Sequence, residues 1–346
     1  MKQQRLLAGD VGGTTTRLVL AESKQGSMRV LAEQRYDSAR YTGLAEVVAE
    51  FRTGERGGPV AAACFAVAGP VRHGVDGESV KVTNLPWEIA GAELAHTLGI
   101  QRLRLINDFE AVGYGIDHLD DRDLIVLQAG LPEPNGPRAV LGAGTGLGQA
   151  ILIGQAGRCA VIPTEGGHAD FGPTDPLQLE LARWLIRQHG RASYEDILSG
   201  SGLARIYVFL RERGLIPESP SVAAAIESGA PASAISSAAL EQRDPLALAA
   251  LELFVKIYGA QAANLALASG ATGGVYVAGG MALRILEKLR DGAFLSAFHS
   301  KGRMTELLKR IPLRVIIRPD VGLRGALACA ERMLAVESMA EHGQSG

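Results

Sequence analysis

The sequence predicts a two-lobed α/β protein, and three observations carry that prediction. The chain is 346 residues long, beyond the ~250–300 residues at which a single hydrophobic core stops growing. Apolar runs of strand length alternate with helical stretches along most of it, the pattern of sheets covered by helices. One theme also occurs twice: an apolar strand, a Gly/Thr turn and a second apolar strand, first at 5–21 and again at 139–153.

Composition excludes several classes. Hydrophobic residues make up 47% and charged residues 21%, and no uninterrupted apolar run reaches the ~20 residues needed to span a bilayer. The apolar segment behind the basic N-terminus breaks at Gly9-Asp10, too short for a secretory signal, so a cytoplasmic location is expected. Cys64, Cys159 and Cys329 lie far apart with no Cys-x-x-Cys pair, which leaves no recognisable disulfide framework or thiolate zinc site. A net charge of −2 without basic runs gives no electrostatic footprint for nucleic acid or an anionic membrane.

The first strand-turn-strand, Gly9-Asp10-Val11-Gly12-Gly13-Thr14-Thr15-Thr16 and its flanks, reads as a hairpin with a phosphate-sized mouth. Gly12 and Gly13 lack a Cβ, so φ > 0 is open to them and their N–H groups can approach an anion. Asp10 sits at the lip. A carboxylate beside phosphate oxygens needs a cation between them, so its natural task is to hold Mg²⁺ directly or through water. The turn has no lysine for a P-loop, and apolar residues of strand type follow where a dinucleotide fold needs a helix. Taken alone, the bland reading of a tight hairpin with an exposed Asp is the stronger.

A strand at 28–33 and a helix near 43–52 come next, then a strand at 60–67 stopped by Ala68-Gly69-Pro70. Residues 79–87 give a short strand and a polar turn containing Asn84, followed by a helix around 89–98. The strand Leu103-Arg104-Leu105-Ile106 runs into Asn107-Asp108 before a helix over 109–116. An acid at a strand end facing a cleft is a candidate general base, although Asn107 with Glu110 also fits a capping box.

A Pro/Gly/Asp-rich connector over 120–138 carries one short strand, and the main domain boundary is expected near its start. The second theme, Gly142-Ala143-Gly144-Thr145-Gly146-Leu147-Gly148 with its flanking strands, misses the Gly-x-Gly-x-x-Gly register and has no helix behind it. The segment Pro163 to Gly172 is rich in ligand-bonding groups; Glu165 and His168 as metal ligands are disfavoured, because zinc needs a third or fourth ligand and no cysteine lies near. A helix over 178–189 precedes Ser193-Tyr194-Glu195-Asp196, which is expected to open another helix into Gly200-Ser201-Gly202, with Glu195 as a first-turn acid in the bland reading. Helices follow at 203–213, 222–227 and 245–268, then the strand 274–278 ending in Gly279-Gly280, a helix over 282–290, a strand at 313–317, and a terminal helix over 323–339 with a frayed tail from 341.

In sum the motifs resemble, in order and over essentially the whole length, the bacterial glucokinase family, the hexokinase-like group of the actin/Hsp70/sugar-kinase superfamily. Asp10 to Thr14 looks like that family's first phosphate motif, Ile106 to Phe109 its catalytic strand end, Gly142 to Gly148 its second phosphate motif, Glu165 to His168 and Glu195 to Gly202 its sugar segments, and Ala278-Gly279-Gly280 its adenosine motif. The cysteine zinc cluster and DNA-binding module of the related repressor/kinase branch are missing. The resemblance implies a two-domain actin-like ATPase (ribonuclease H-like) fold with a cleft between a smaller α/β domain, 1–118 plus 318–346, and a larger one, 119–317. It implies ATP-dependent phosphorylation of glucose, the first step of glycolysis, with Asp108 as general base and Asn107, Glu165, His168 and Glu195 on the sugar; Asn84 joins that set. Gly9, Asp10, Val11, Gly12, Gly13 and Thr14, then Gly144, Thr145 and Gly146, then Gly279 and Gly280 are expected on ATP, and Asp10 on Mg²⁺. The implied partners are a hexose and Mg-ATP, and the implied assembly is a homodimer. Thr15 stands where many relatives carry Asn, and the segment 217–244 varies in such families. A kinase for another hexose or amino sugar, and a non-catalytic sugar sensor on the same scaffold, are the alternatives.

Overall fold

A computed structural model describes residues 3–24, 27–154, 159–227 and 229–343. The chain divides into two compact units, Met1–Leu119 with Asp320–Gly346, and Asp120–Pro319.

In the first unit, strands β1 (Gln4–Val11), β2 (Thr15–Lys24), β3 (Ser27–Asp37), β4 (Ala62–Val67) and β8 (Leu103–Asn107) form one sheet in the order β3-β2-β1-β4-β8; β5 (Val71–Gly74), β6 (Gly77–Lys81) and β7 (Glu88–Ala90) form a small second sheet. β1 runs antiparallel to β2 and parallel to β4, and β4 runs parallel to β8. The two-residue side-chain period of a strand sorts β1 between two cores. Leu7 and Val11 join Phe65, Val67 and Phe51 on one face, while Leu6 and Ala8 join Cys64, Ile106 and the terminal helix Val321–Gly343 on the other. Both faces are covered, which explains why β1 and β4 read as continuous apolar runs rather than alternating ones.

The second unit repeats the plan. Strands β9 (Leu124–Gln128), β10 (Arg138–Ala143), β11 (Leu147–Ile153), β12 (Ala160–Thr164), β13 (Gly274–Ala278) and β14 (Leu313–Ile316) lie in the order β12-β11-β10-β13-β14-β9. β10 is antiparallel to β11 and parallel to β13, as β1 is to β2 and β4, so the repeated sequence theme is a repeated topology with β9 added at one edge. The core gathers around the helix Pro245–Ser269. By length and composition this helix is apolar enough to cross a membrane, but Glu252 and Lys256 interrupt it and 78% of its most apolar stretch is buried inside the fold, which marks it as a core helix.

Other expectations shift locally. Glu195 to Ser199 is a set of turns, and the helix starts only at Gly200, capped by Ser199, whose Oγ accepts from Gly202 N–H; Ser193 and Asp196 bond each other as a closed turn instead. The helix expected over 282–290 is broken at Ile285 into Gly280–Arg284 and Leu286–Arg290. Helices at Pro231–Leu240, Ala293–His299 and Thr305–Arg310, and strands β5 and β12, have no counterpart in the sequence reading. The terminal helix extends to Gly343, and the rest of the expected frayed tail, 344–346, lies outside the described residues.

Candidate active site

In the first unit the carboxyl ends of β1, β4 and β8 assemble one set of groups. Asp10, Ala66 and Ile106 are register partners across the three parallel strands, so two strand spacings of ~4.8 Å place the Asp10 and Ile106 backbones about 10 Å apart. Asn107 ends β8 and caps the helix Asp108–Gly115: its Oδ1 accepts from Phe109 N–H at 2.8 Å and Glu110 N–H at 3.4 Å, while its Nδ2 donates to Gly69 O at 3.1 Å. The capping reading of Asn107 is therefore correct, and it leaves Asp108 as the first helical residue, half-buried, its Oδ1 accepting from Phe109 N–H at 2.9 Å.

What holds Asp108 in place is a close helix pair. A Cβ on Gly325 of the terminal helix would lie 1.7 Å from Ala111 O, and one on Gly115 would lie 2.3 Å from Val321 O. Only glycine lets the two helices come this near.

The first Gly/Thr bend is braced by Ser38, which is fully buried. Its N–H donates to Thr14 O at 3.0 Å, its Oγ donates to Gly12 O at 3.1 Å, and it shares a 2.9 Å hydrogen bond with Thr16 Oγ1. Neither Gly12 nor Gly13 adopts positive φ, which corrects that expectation. Gly13 is needed for space: its Cβ would lie 2.7 Å from Thr83 O and 3.1 Å from Asn84 Cβ. That contact brings Asn84, itself at φ 62°, against the bend. Gly9 and Val11 lie within β1; a Cβ on Gly9 would meet the Phe65 ring at 2.6 Å, and Val11 is fully buried, so any contact they offer a ligand is through backbone.

Asp10 is not the exposed residue of the bland reading. Burial pushes its carboxyl above the ordinary value of 3.8, against the opposing pull of the Arg17 and Arg35 guanidiniums. A carboxylate withdrawn from water gains from a cation beside it, which fits the role of a Mg²⁺ holder. Among the described residues no group of three or more His, Cys, Asp or Glu is placed to hold a metal by itself, so a metal here would have to arrive with other oxygen ligands, as phosphates supply them.

In the second unit the sugar-type residues and the second bend touch. Glu195 Oε2 accepts from Leu147 N–H at 2.8 Å, just past the Gly144-Thr145-Gly146 turn, and a Cβ on Gly146 would lie 2.4 Å from the same oxygen. His168 Nε2 lies 3.8 Å from Glu195 Oε1 and 4.0 Å from Glu165 Oε2. The loop is seated by Glu195 N–H on Gly167 O at 2.8 Å, and Gly167 fits because a Cβ would lie 2.3 Å from Leu147 O. Glu165 and His168 are 64% and 57% exposed. Exposed ion pairs contribute at most ~1 kcal/mol, so fold stability gives little reason for the three to converge.

The adenosine-type motif adjoins the same bend. Ala278 is the register partner of Gly142, and Gly279 follows at φ 89° with its Cβ position 2.8 Å from Ala143 O. Gly280 and Gly144 face open space. The helix Gly200–Glu212 starts against this turn, with Gly200 N–H on Gly144 O at 2.9 Å.

The Glucokinase family model matches residues 7–333. The chain belongs to the glucokinase family. It is 43% identical over 342 residues to a glucokinase of Nostoc punctiforme, covering 95% of this chain and 99% of that one. A crystal structure of glucokinase from an Antarctic psychrotroph superposes with a TM-score of 0.81 at 29% identity, over 96% of this chain and 100% of the other. A ROK family glucokinase from Streptomyces griseus, crystallised with glucose and AMPPNP, has the same fold, with a TM-score of 0.62 at 18% identity over 96% and 100% of the two chains. The family read from the motifs and the family found over the whole chain are the same.

Around the cluster of each unit, sequence reasoning passed over supporting residues: Ser38, Gly115 and Gly325 in the first and Ser199 in the second. Ser199 before Gly200 carried a usable capping signal. Ser38 and the two glycines act through contacts between distant segments, which no local pattern announces.

Proposed function

We propose that this glucokinase-family enzyme transfers the γ-phosphoryl group of ATP to the 6-hydroxyl of glucose. The observation that carries the reading is the contact of Glu195 with the end of the Gly144-Thr145-Gly146 turn, with His168 Nε2 3.8 Å from the same carboxylate, which puts sugar-type and phosphate-type groups in one cluster. Glu165, Glu195, His168, Asn107 and Asn84 bond the hydroxyls of the ring. Asp108 accepts the proton of the 6-hydroxyl as that oxygen attacks phosphorus. The backbone at Gly9 to Thr14 and at Gly144 to Gly146 lines the phosphates, and Gly279-Gly280 admits the adenosine because no side chain stands there. Asp10 holds Mg²⁺, which supplies neutralisation of the phosphate charge when bound. Phosphoryl transfer asks for positioning and charge stabilisation more than covalent chemistry, and these groups suffice for it.

A sugar sensor on the same scaffold has no use for an acid at 108, which disfavours that alternative. The family resemblance extends the proposal to a cytoplasmic homodimer acting in glycolysis. The test is a rate measurement on purified protein over a panel of hexoses with Mg-ATP, read as ADP formed. Glucose should give the highest kcat/KM, a better hexose or amino sugar would move the acceptor, and no turnover with any sugar would remove the kinase reading.

A further inference from the structure

Behind the sugar-type residues lies a polar chain that the proposed chemistry does not use. Lys301 is half-buried, and its Nζ donates to Asn264 Oδ1 at 2.6 Å. No carboxylate among the described residues pairs with this ammonium, and burial holds it below the ordinary lysine value. Asn264, on the core helix Pro245–Ser269, passes the contact on: its Nδ2 donates to the Tyr194 hydroxyl at 2.7 Å and to Gln261 Oε1 at 3.1 Å. Tyr194 and Gln261 are 6% and 5% exposed. A half-buried cation whose side-chain partner is a neutral amide gives up part of its hydration without the gain of a charge pair.

Tyr194 is the residue before Glu195, and its hydroxyl also accepts from Gly172 N–H at 3.3 Å. Around it the two sugar-type segments are laced together. Phe171 N–H donates to Ala192 O at 2.9 Å, Tyr194 N–H to Ala169 O at 3.0 Å and Glu195 N–H to Gly167 O at 2.8 Å. The Tyr194 ring packs edge-on against Phe171 with centroids 5.7 Å apart. Among the described residues the hydroxyl makes the one side-chain hydrogen bond between this lacing and the core helix, and Lys301 orients the amide that grips it. An ammonium on Oδ1 fixes which end of Asn264 faces Tyr194, since the amide can donate only from its nitrogen.

We propose that Lys301 is a positioning residue for sugar binding, acting through Asn264 and Tyr194 to hold Glu195 and His168 at the second Gly/Thr bend. The proposal rests on the reading of those two residues as sugar ligands. It requires a fault at Lys301 to weaken glucose and leave ATP alone.

The test compares Lys301→Met, Tyr194→Phe, the double variant and Glu195→Gln by KM for glucose, KM for ATP, kcat and Tm. Lys301→Met and Tyr194→Phe should each raise KM for glucose about five-fold or more, with KM for ATP within two-fold of the parent. Because both break one chain, the double variant should be no worse than the more severe single one. If Lys301→Met does not fold, Lys301→Ala, which likewise leaves no donor on Asn264 Oδ1, is read by the same criteria. A loss of Tm with KM for glucose unchanged, equal rises for both substrates, or fully multiplicative effects in the double variant would overturn the relay. Glu195→Gln separates the two layers. If it too leaves KM for glucose unchanged, the sugar-ligand reading falls and takes the relay with it; if it raises KM while Lys301→Met does not, only the relay falls.

Discussion

Asp108→Asn should leave the protein folded and the sugar bound while removing most of the turnover. The change is isosteric. The side chain keeps an oxygen for the Phe109 N–H bond at 2.9 Å, and the helix keeps its Asn107 cap at 2.8 Å. What is lost structurally is one negative charge in the first turn of the helix Asp108–Gly115, a helix-dipole contribution of about 0.3–1 kcal/mol. What is lost chemically, if Asp108 takes the proton of the attacking hydroxyl, is a general base, a factor of about 10²–10⁴. At 1.36 kcal/mol per decade that is about 2.7–5.4 kcal/mol of barrier, several times the structural cost, so the two effects separate. The assay is kcat from glucose 6-phosphate formation coupled to its oxidation, with glucose affinity by calorimetry and Tm on the same preparation. Turnover within about three-fold of the parent, with glucose still bound, would refute the assignment of the base.

Glu165→Gln should raise KM for glucose more than KM for ATP, because Glu165 faces His168 at 4.0 Å; a selective loss of ATP affinity would move this loop to the nucleotide side. Gly325→Ala should lower both Tm and kcat, since the new Cβ lies 1.7 Å from Ala111 O and backbone must shift, an overpacking cost of about 1–3 kcal/mol delivered to the helix that carries Asp108; an unchanged melting curve would show that the helix pair is looser than described. Glu110, 6% exposed, has its carboxyl raised above the ordinary 4.5 by burial, only partly offset by the Arg104 guanidinium and the Asn107 N–H. A raised acid stabilises the fold below its unfolded value and loses that contribution as pH rises through the folded value. The Tm of Glu110→Gln minus that of the parent should therefore increase from pH 4 to pH 7, and a difference that shrinks over that range would reverse the sign.

Much of this was legible in the sequence because the informative residues are local. Gly12-Gly13-Thr14 and Gly144-Thr145-Gly146 stand between apolar strands, and a strand, a tight turn and a strand need only neighbouring residues to declare themselves. Asn107-Asp108 was readable for the same reason, with cap and acid adjacent. Glu195 was harder. Its closed turn depends on Gly167 O and Leu147 N–H, so the Ser193/Asp196 pair imitated a helix start that tertiary contacts override. Gly325 and Ser38 could not be read at all: their partners lie more than 20 residues away, and a glycine in a helix or a serine after a strand has many ordinary explanations. Of the first bend's glycines, Gly13 was singled out for its torsion freedom, whereas the structure needs it for the room it gives Thr83 and Asn84.

The most direct measurement is the position of the transferred phosphoryl group, read by phosphorus NMR of the products from glucose and Mg-ATP. The account predicts ADP and glucose 6-phosphate in equal amounts, with little free phosphate. Phosphate released to water at the same rate with and without glucose, or a sugar phosphorylated at another hydroxyl, would contradict it.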